Sequence, residues 1–79
     1  MAIYIAIRKR AEDNSTVEYA FGPSEEELVG AVRLDKSDGR IELLELSSGR
    51  EDFYLPRVSH ILKRCFTSGQ FPNATCFAA

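Results

Sequence analysis

The sequence predicts an α+β domain: a four-stranded antiparallel meander sheet, one C-terminal α-helix packed on one face of it, and a short extended tail. Three observations carry this. Apolar residues alternate at period two near the N-terminus and again from Thr16 to Phe21. Asp38-Gly39 sits between two apolar runs, which is a strong hairpin signal because glycine enters the left-handed turn conformation without steric cost. From Asp52 to Ser68 the apolar residues recur at helical spacing.

The first strand is read over Ala2–Arg8, with Ile3, Ile5 and Ile7 on one face and Tyr4, Ala6 and Arg8 on the other. The polar run Lys9–Ser15 reads as a loop. Val17, Tyr19 and Phe21 form one face of the second strand, and Gly22-Pro23 stops it, since proline lacks the N–H that a ladder needs. Residues 24–34 admit two readings. Ser24-Glu25-Glu26-Glu27 matches a helix capping box, whereas Gly30, Val32 and Leu34 fit a strand face. The hairpin signal that follows favours strands over Val29–Asp35 and Arg40–Leu46, with Glu25–Glu27 in a turn or a single helical turn. The fourth strand is irregular. Ile41 and Leu43 share one face while Leu44 and Leu46 take the other, so either a bulge shifts the register or both faces are partly covered.

In the helix, Tyr54, Leu55, Val58, Ile61, Leu62, Cys65 and Phe66 form one stripe, and Arg57, His60, Lys63 and Arg64 lie opposite. Glu51 and Asp52 suit the positive end of its dipole. Pro56 is placed in the first turn, where a missing N–H costs little, and Gly69 is a plausible stop. Gln70–Ala79 reads as an extended tail with Phe71, Cys76 and Phe77 as anchors. The helix stripe laid on the sheet gives an expected core of Ile3, Ile5, Ile7, Val17, Tyr19, Phe21, Val32, Leu34, Ile41, Leu43, Leu55, Val58, Ile61, Leu62 and Phe66. The reverse face then carries Tyr4, Ala6, Ala20, Ala31, Leu44 and Leu46, with nothing evident to cover it.

Length and composition bound the function. At 79 residues the chain is the size of one domain, residues 1–79, able to own a core but not also a deep substrate cavity. Its 44% apolar and 28% charged residues suit a folded domain rather than a disordered one. The net charge of −2 excludes a whole-protein basic footprint for nucleic acid. Charge is nonetheless uneven. All 12 acids fall within residues 11–52, and from Phe53 onward Arg57, Lys63 and Arg64 meet no acid. Two cysteines are too few for a disulfide-built scaffold. The apolar run Ala2–Ile7 is shorter than a leader requires, and its positive charge follows rather than precedes it. A cytoplasmic chain with reduced thiols and no membrane partner is the expectation.

Tyr19-Ala20-Phe21-Gly22, the stretch Gly30–Glu45 around Asp38-Gly39 and Ile41-Glu42-Leu43-Leu44-Glu45, the amphipathic helix, and the ending Gly69-Gln70-Phe71-Pro72 with Thr75-Cys76 together resemble a group of short uncharacterised bacterial proteins. The resemblance covers most of the chain. It implies a bacterial cytosolic setting and the strand–helix–tail order, and it assigns no functional residue.

Catalytic, metal and cofactor chemistry finds little support. His60 and Cys65 lie five apart on different helix faces, and no Cys-x-x-Cys spacing exists, so a solvated His60 and a core Cys65 are the plainer reading. Cys76 has no basic neighbour in the tail to activate it. Asp35-Lys36-Ser37-Asp38-Gly39 lacks the oxygen ligands of a calcium loop, and Glu25-Glu26-Glu27 reads as solvated carboxylates on a turn. The sequons at Asn14 and Asn73 matter only in a secreted protein, and no phosphate-cradling glycine loop occurs.

The expected function is therefore a small non-catalytic protein-binding module whose partner is another protein or a second copy, as in a homodimer. The candidate interaction surface is Tyr4, Ala6, Ala20, Leu44 and Leu46 on the open sheet face, with Arg57, His60, Lys63 and Arg64 on the helix. Two alternatives stand beside it: weak nucleic-acid binding through the basic helix face, and a bacterial inhibitor or immunity-type role in which the acidic residues cover a basic surface.

Overall fold

The computed structural model describes residues 2–47 and 49–79. Among these residues, five strands and one helix follow in the order β1 (Tyr4–Glu12), β2 (Thr16–Gly22), β3 (Gly30–Asp35), β4 (Ile41–Leu46), α1 (Glu51–Ser68) and β5 (Ala74–Ala78). They form one antiparallel sheet with strand order β4-β3-β2-β1-β5. The α+β class and the meander of the first four strands agree with the sequence reading. The fifth strand corrects it. The tail continues past α1 and pairs with β1, placing Ile5 opposite Phe77 and Ile7 opposite Thr75.

β1 is also longer than its alternation predicts. A register shift between Lys9 and Ala11 makes Arg10 the extra residue of a bulge, and pairing resumes at Ala11↔Glu18. A second bulge resolves the irregular β4. Val32 pairs with Leu43 and Ala31 with Glu45, so Leu44 is the extra residue, and Leu43 and Leu46 both pack toward the helix. The capping box at Ser24 caps no helix. Glu27 N–H instead donates to the Ser24 carbonyl at 3.1 Å, closing a tight turn inside the β2–β3 connection.

α1 starts at Glu51, with Glu51 and Asp52 in its first turn, and ends at Gly69, whose φ of 75° lets its N–H reach back to Cys65 O and Phe66 O. Pro56 falls in the second turn rather than the first, where it removes the N–H that would have bonded the Asp52 carbonyl. Tyr54, Val58 and Leu62 are the buried helix residues, clustered with Ile5, Ile7, Val17, Tyr19, Phe21, Val32 and Leu34. Full burial of a Val, Leu or Phe side chain contributes roughly 1.5–3 kcal/mol, so this single layer dominates the stability. Of the expected core, Ile3, Ile41, Leu43, Leu55, Ile61 and Phe66 are only partly buried.

The reverse face departs most from expectation. It is not an open apolar surface. Glu18 accepts from Arg33 and Arg10 at 3.2 Å each, Arg33 reaches on to Glu42 at 3.6 Å, and Arg10 reaches Glu45 at 2.8 Å. The β2–β3 connection curls over the same face. Glu25 meets Arg8 at 3.4 Å, and the Glu27 carbonyl lies so close to Gly22 that a Cβ there would sit 1.9 Å from it. Beneath this cover Ala6 is 1% exposed and Ala31 is fully buried.

Candidate interaction surface

The predicted surface residues separate into two groups. On the sheet, Tyr4 is exposed, Ala6 is buried, Ala20 and Leu44 are half-buried, and Leu46 packs against the core cluster. These five do not make one patch. The expected docking face is divided by the Arg–Glu ladder and by the folded-over loop. On the helix, His60, Lys63 and Arg64 are exposed and Arg57 is half-buried.

What the structure brings beside those helix cations is the outer edge of β5. The Tyr19 hydroxyl donates to the Pro72 carbonyl at 2.7 Å, and Lys9 N–H donates to the Asn73 carbonyl at 2.8 Å, fixing the approach to the strand. Phe71 and Phe77 pack on the core cluster. At the far end Ile3 and Ala79 exchange both main-chain hydrogen bonds, at 2.9 and 3.0 Å. In an antiparallel ladder such pairs recur at every second residue. Asn73, Thr75, Phe77 and Ala79 therefore turn their N–H and C=O groups toward β1, and Ala74, Cys76 and Ala78 turn theirs outward.

The two edges of the sheet differ. β4 carries Glu42 and Glu45 and a bulge, devices that discourage pairing with another strand. β5 reads Ala-Thr-Cys-Phe-Ala, without charge, and its register with β1 runs without interruption. Above this edge lies the flank of α1. The His60 ring stands edge-on to Phe77, with centroids 6.4 Å apart. An open groove of about 590 Å³ runs between helix and strand, with Ile61, Cys65, Phe71 and Cys76 along it and Arg64 at its lip. Farther along the helix, Arg57 and Arg50 both stack on Phe53, at 4.5 and 4.4 Å from the ring centroid, and Arg57 also donates to the Phe53 carbonyl.

Among the described residues, the ion pairs engage Arg8, Lys9, Arg10, Arg33 and Lys36 and no residue of α1. Lys63 and Arg64 thus face solvent, Arg57 lies against Phe53, and none of the three has a carboxylate partner among the described residues. Both cysteines are free thiols, and burial pushes the Cys65 thiol above its usual range, so it stays protonated at neutral pH. Among the described residues no cluster of three His, Cys, Asp or Glu side chains is arranged to hold a metal. No described helix is long and apolar enough to cross a membrane.

The basic helix face is legible in the sequence. The β5 edge is the part that sequence reasoning leaves out, and its only local signal is Thr75 and Phe77 at period two. Comparison with family models, with curated proteins and with solved structures gives no match.

Proposed function

We propose that the chain is a small non-catalytic protein-binding module that takes an extended segment of another protein as a sixth strand on the outer edge of β5. The observation that carries this reading is the phase of the strand. Ala74, Cys76 and Ala78 offer their main-chain donors and acceptors outward, on an edge with no charge and no bulge to deter pairing. Strand addition draws affinity from main-chain hydrogen bonds and specificity from neighbouring pockets. Here the groove beside Ile61 and Cys65 supplies such a pocket. The interaction surface moves from the sheet face, where the sequence places it, to the sheet edge.

The test is selection of binders from an unbiased displayed peptide library, followed by titration of the ¹⁵N-labelled protein with the selected peptide. The expected result is that the amides of Ala74, Cys76 and Ala78 shift and that Cys76→Pro abolishes binding. The Cys76 N–H points outward, so proline there leaves the ladder to β1 intact. An unchanged melting midpoint separates lost binding from lost fold, and Ala78→Pro serves as the second variant. Selected peptides that shift the Arg33–Glu42 face instead, or that bind Cys76→Pro as well as the parent, would discard the reading.

A further inference from the structure

Resting on strand addition at β5, we infer that the segment docked there is acidic, with Asp or Glu at alternate positions turned toward α1. Charge complementarity carries this. Arg57 and Arg64 are seven residues apart, just under two helical turns, and lie on one line of the helix. His60 stands edge-on to Phe77, and Arg64 lines the groove together with Thr75 and Cys76 of β5. Arg57, Lys63 and Arg64 have no carboxylate partner among the described residues, whereas the arginines of the sheet are paired.

The spacings also agree. Residues four apart on a helix are separated by about 6 Å along its axis. Alternate residues of a strand are separated by about 6.7 Å. Successive inward-facing side chains of a sixth strand would therefore pass beneath His60 and Arg64 in near register. The flat edge sets the main-chain pairing, and the helix reads the side chains.

Two other occupants fit less well. A second copy paired through β5 about a two-fold axis would bring Lys63 and Arg64 of both helices together, and the repulsion between like charges opposes it. A nucleic acid would use the cations but not the outward main-chain groups. Phe53, the helix aromatic beside Arg57, is already covered by Arg50 and Arg57.

The experiment titrates ¹⁵N-labelled protein at low salt with three capped nonapeptides in which Thr alternates with Glu, with Gln or with Lys. The Glu peptide is expected to shift the Ala74, Cys76 and Ala78 amides. It should bind about three- to tenfold tighter than the Gln peptide, the scale of two or three exposed ion pairs. That advantage should vanish at high salt, and Lys63→Glu with Arg64→Glu should reverse the order in favour of the Lys peptide. Equal binding of the Glu and Gln peptides overturns the acidic preference and leaves strand addition standing. The β5 amides staying silent with all three peptides overturns both. Doubling of the solution mass without peptide puts a second copy on the edge. A single-stranded oligothymidylate that shifts the helix cations but not the β5 amides assigns the strip to nucleic acid. Either of these last two results overturns the inference.

Discussion

Arg10 of β1 and Glu45 of β4 meet at 2.8 Å across the reverse face of the sheet, although two strands separate their backbones. Both positions adjoin bulges, Arg10 as the extra residue of one and Glu45 beside Leu44 in the other. The contact closes the ladder Glu42–Arg33–Glu18–Arg10–Glu45, and the shared bonds to Glu45 and Glu18 hold the Arg10 guanidinium more firmly protonated than usual. Exposed pairs are individually worth about 0.2–1 kcal/mol. Glu45→Ala is therefore expected to cost no more than about 1 kcal/mol. Arg10→Ala should cost more than Glu45→Ala, because it also strips a partner from the largely covered Glu18. Urea denaturation of both variants decides this, and equal losses would show that the Glu18 bond contributes nothing.

Tyr19→Phe removes the hydroxyl that holds the Pro72 carbonyl and little else. The expected loss is about 1 kcal/mol. The more specific outcome is local. Amide exchange at Thr75 and Phe77 should quicken more than at Val32, because the bond ties down the segment that leads into β5. Uniform quickening across the sheet would show that Tyr19 acts through the core alone.

Gly39 and Gly49 separate backbone strain from packing. Both have positive φ, 77° and 72°, but a Cβ on Gly39 would meet the Phe66 ring at 2.9 Å, while one on Gly49 would meet nothing within 4 Å. Alanine at Gly49 should cost only the conformational penalty, about 1–2 kcal/mol. Alanine at Gly39 should cost more, because the ring at the end of α1 must also move. Equal melting midpoints for the two variants would remove the packing contribution.

Acid should loosen two turns. The N–H groups of Thr16 and Ser15 hold the Asp13 carboxyl below its usual range, and the hydroxyl and N–H of Ser37 do the same for Asp35. A carboxylate whose folded pKa is depressed stabilises fully above its unfolded value, near about 4, and loses that contribution as pH falls through the folded value. The melting midpoint is expected to hold between about pH 7 and 5 and to fall below about pH 4. In Asp13→Asn with Asp35→Asn the fall should be shallower. An identical acid limb would assign the loss elsewhere, for example to Glu12 between Lys36 and Lys9.

Much of the architecture is readable locally. Ile5 and Ile7, then Val17, Tyr19 and Phe21, announce strands by their period, and Tyr54, Val58 and Leu62 announce the helix by theirs. β5 escapes because five residues hold too short a pattern, and their state depends on a vacant edge of β1 nearly seventy positions earlier. The reach of β1 through Arg10 escapes because the bulge breaks the alternation among polar residues. Leu46 is misplaced for the same reason, since one inserted residue at Leu44 reverses the side to which its neighbours point. Of the candidate site, the unpaired helix cations are visible from charge alone. Their meeting with a sheet edge is not, because it arises only when the last strand docks.

Ile3 and Ala79 also bring residues far apart in sequence within hydrogen-bond distance, so the path from β1 to β5 nearly closes on itself. A short linker could join Ala79 to Ile3 in a recombinant domain of residues 3–79, and a new opening could be cut between Glu25 and Glu26, both exposed in the β2–β3 connection. Such a circular permutant would start with β3 and finish with β2, and every neighbouring pair of strands would keep its partner. The docking edge would then sit mid-chain, away from any fused tag.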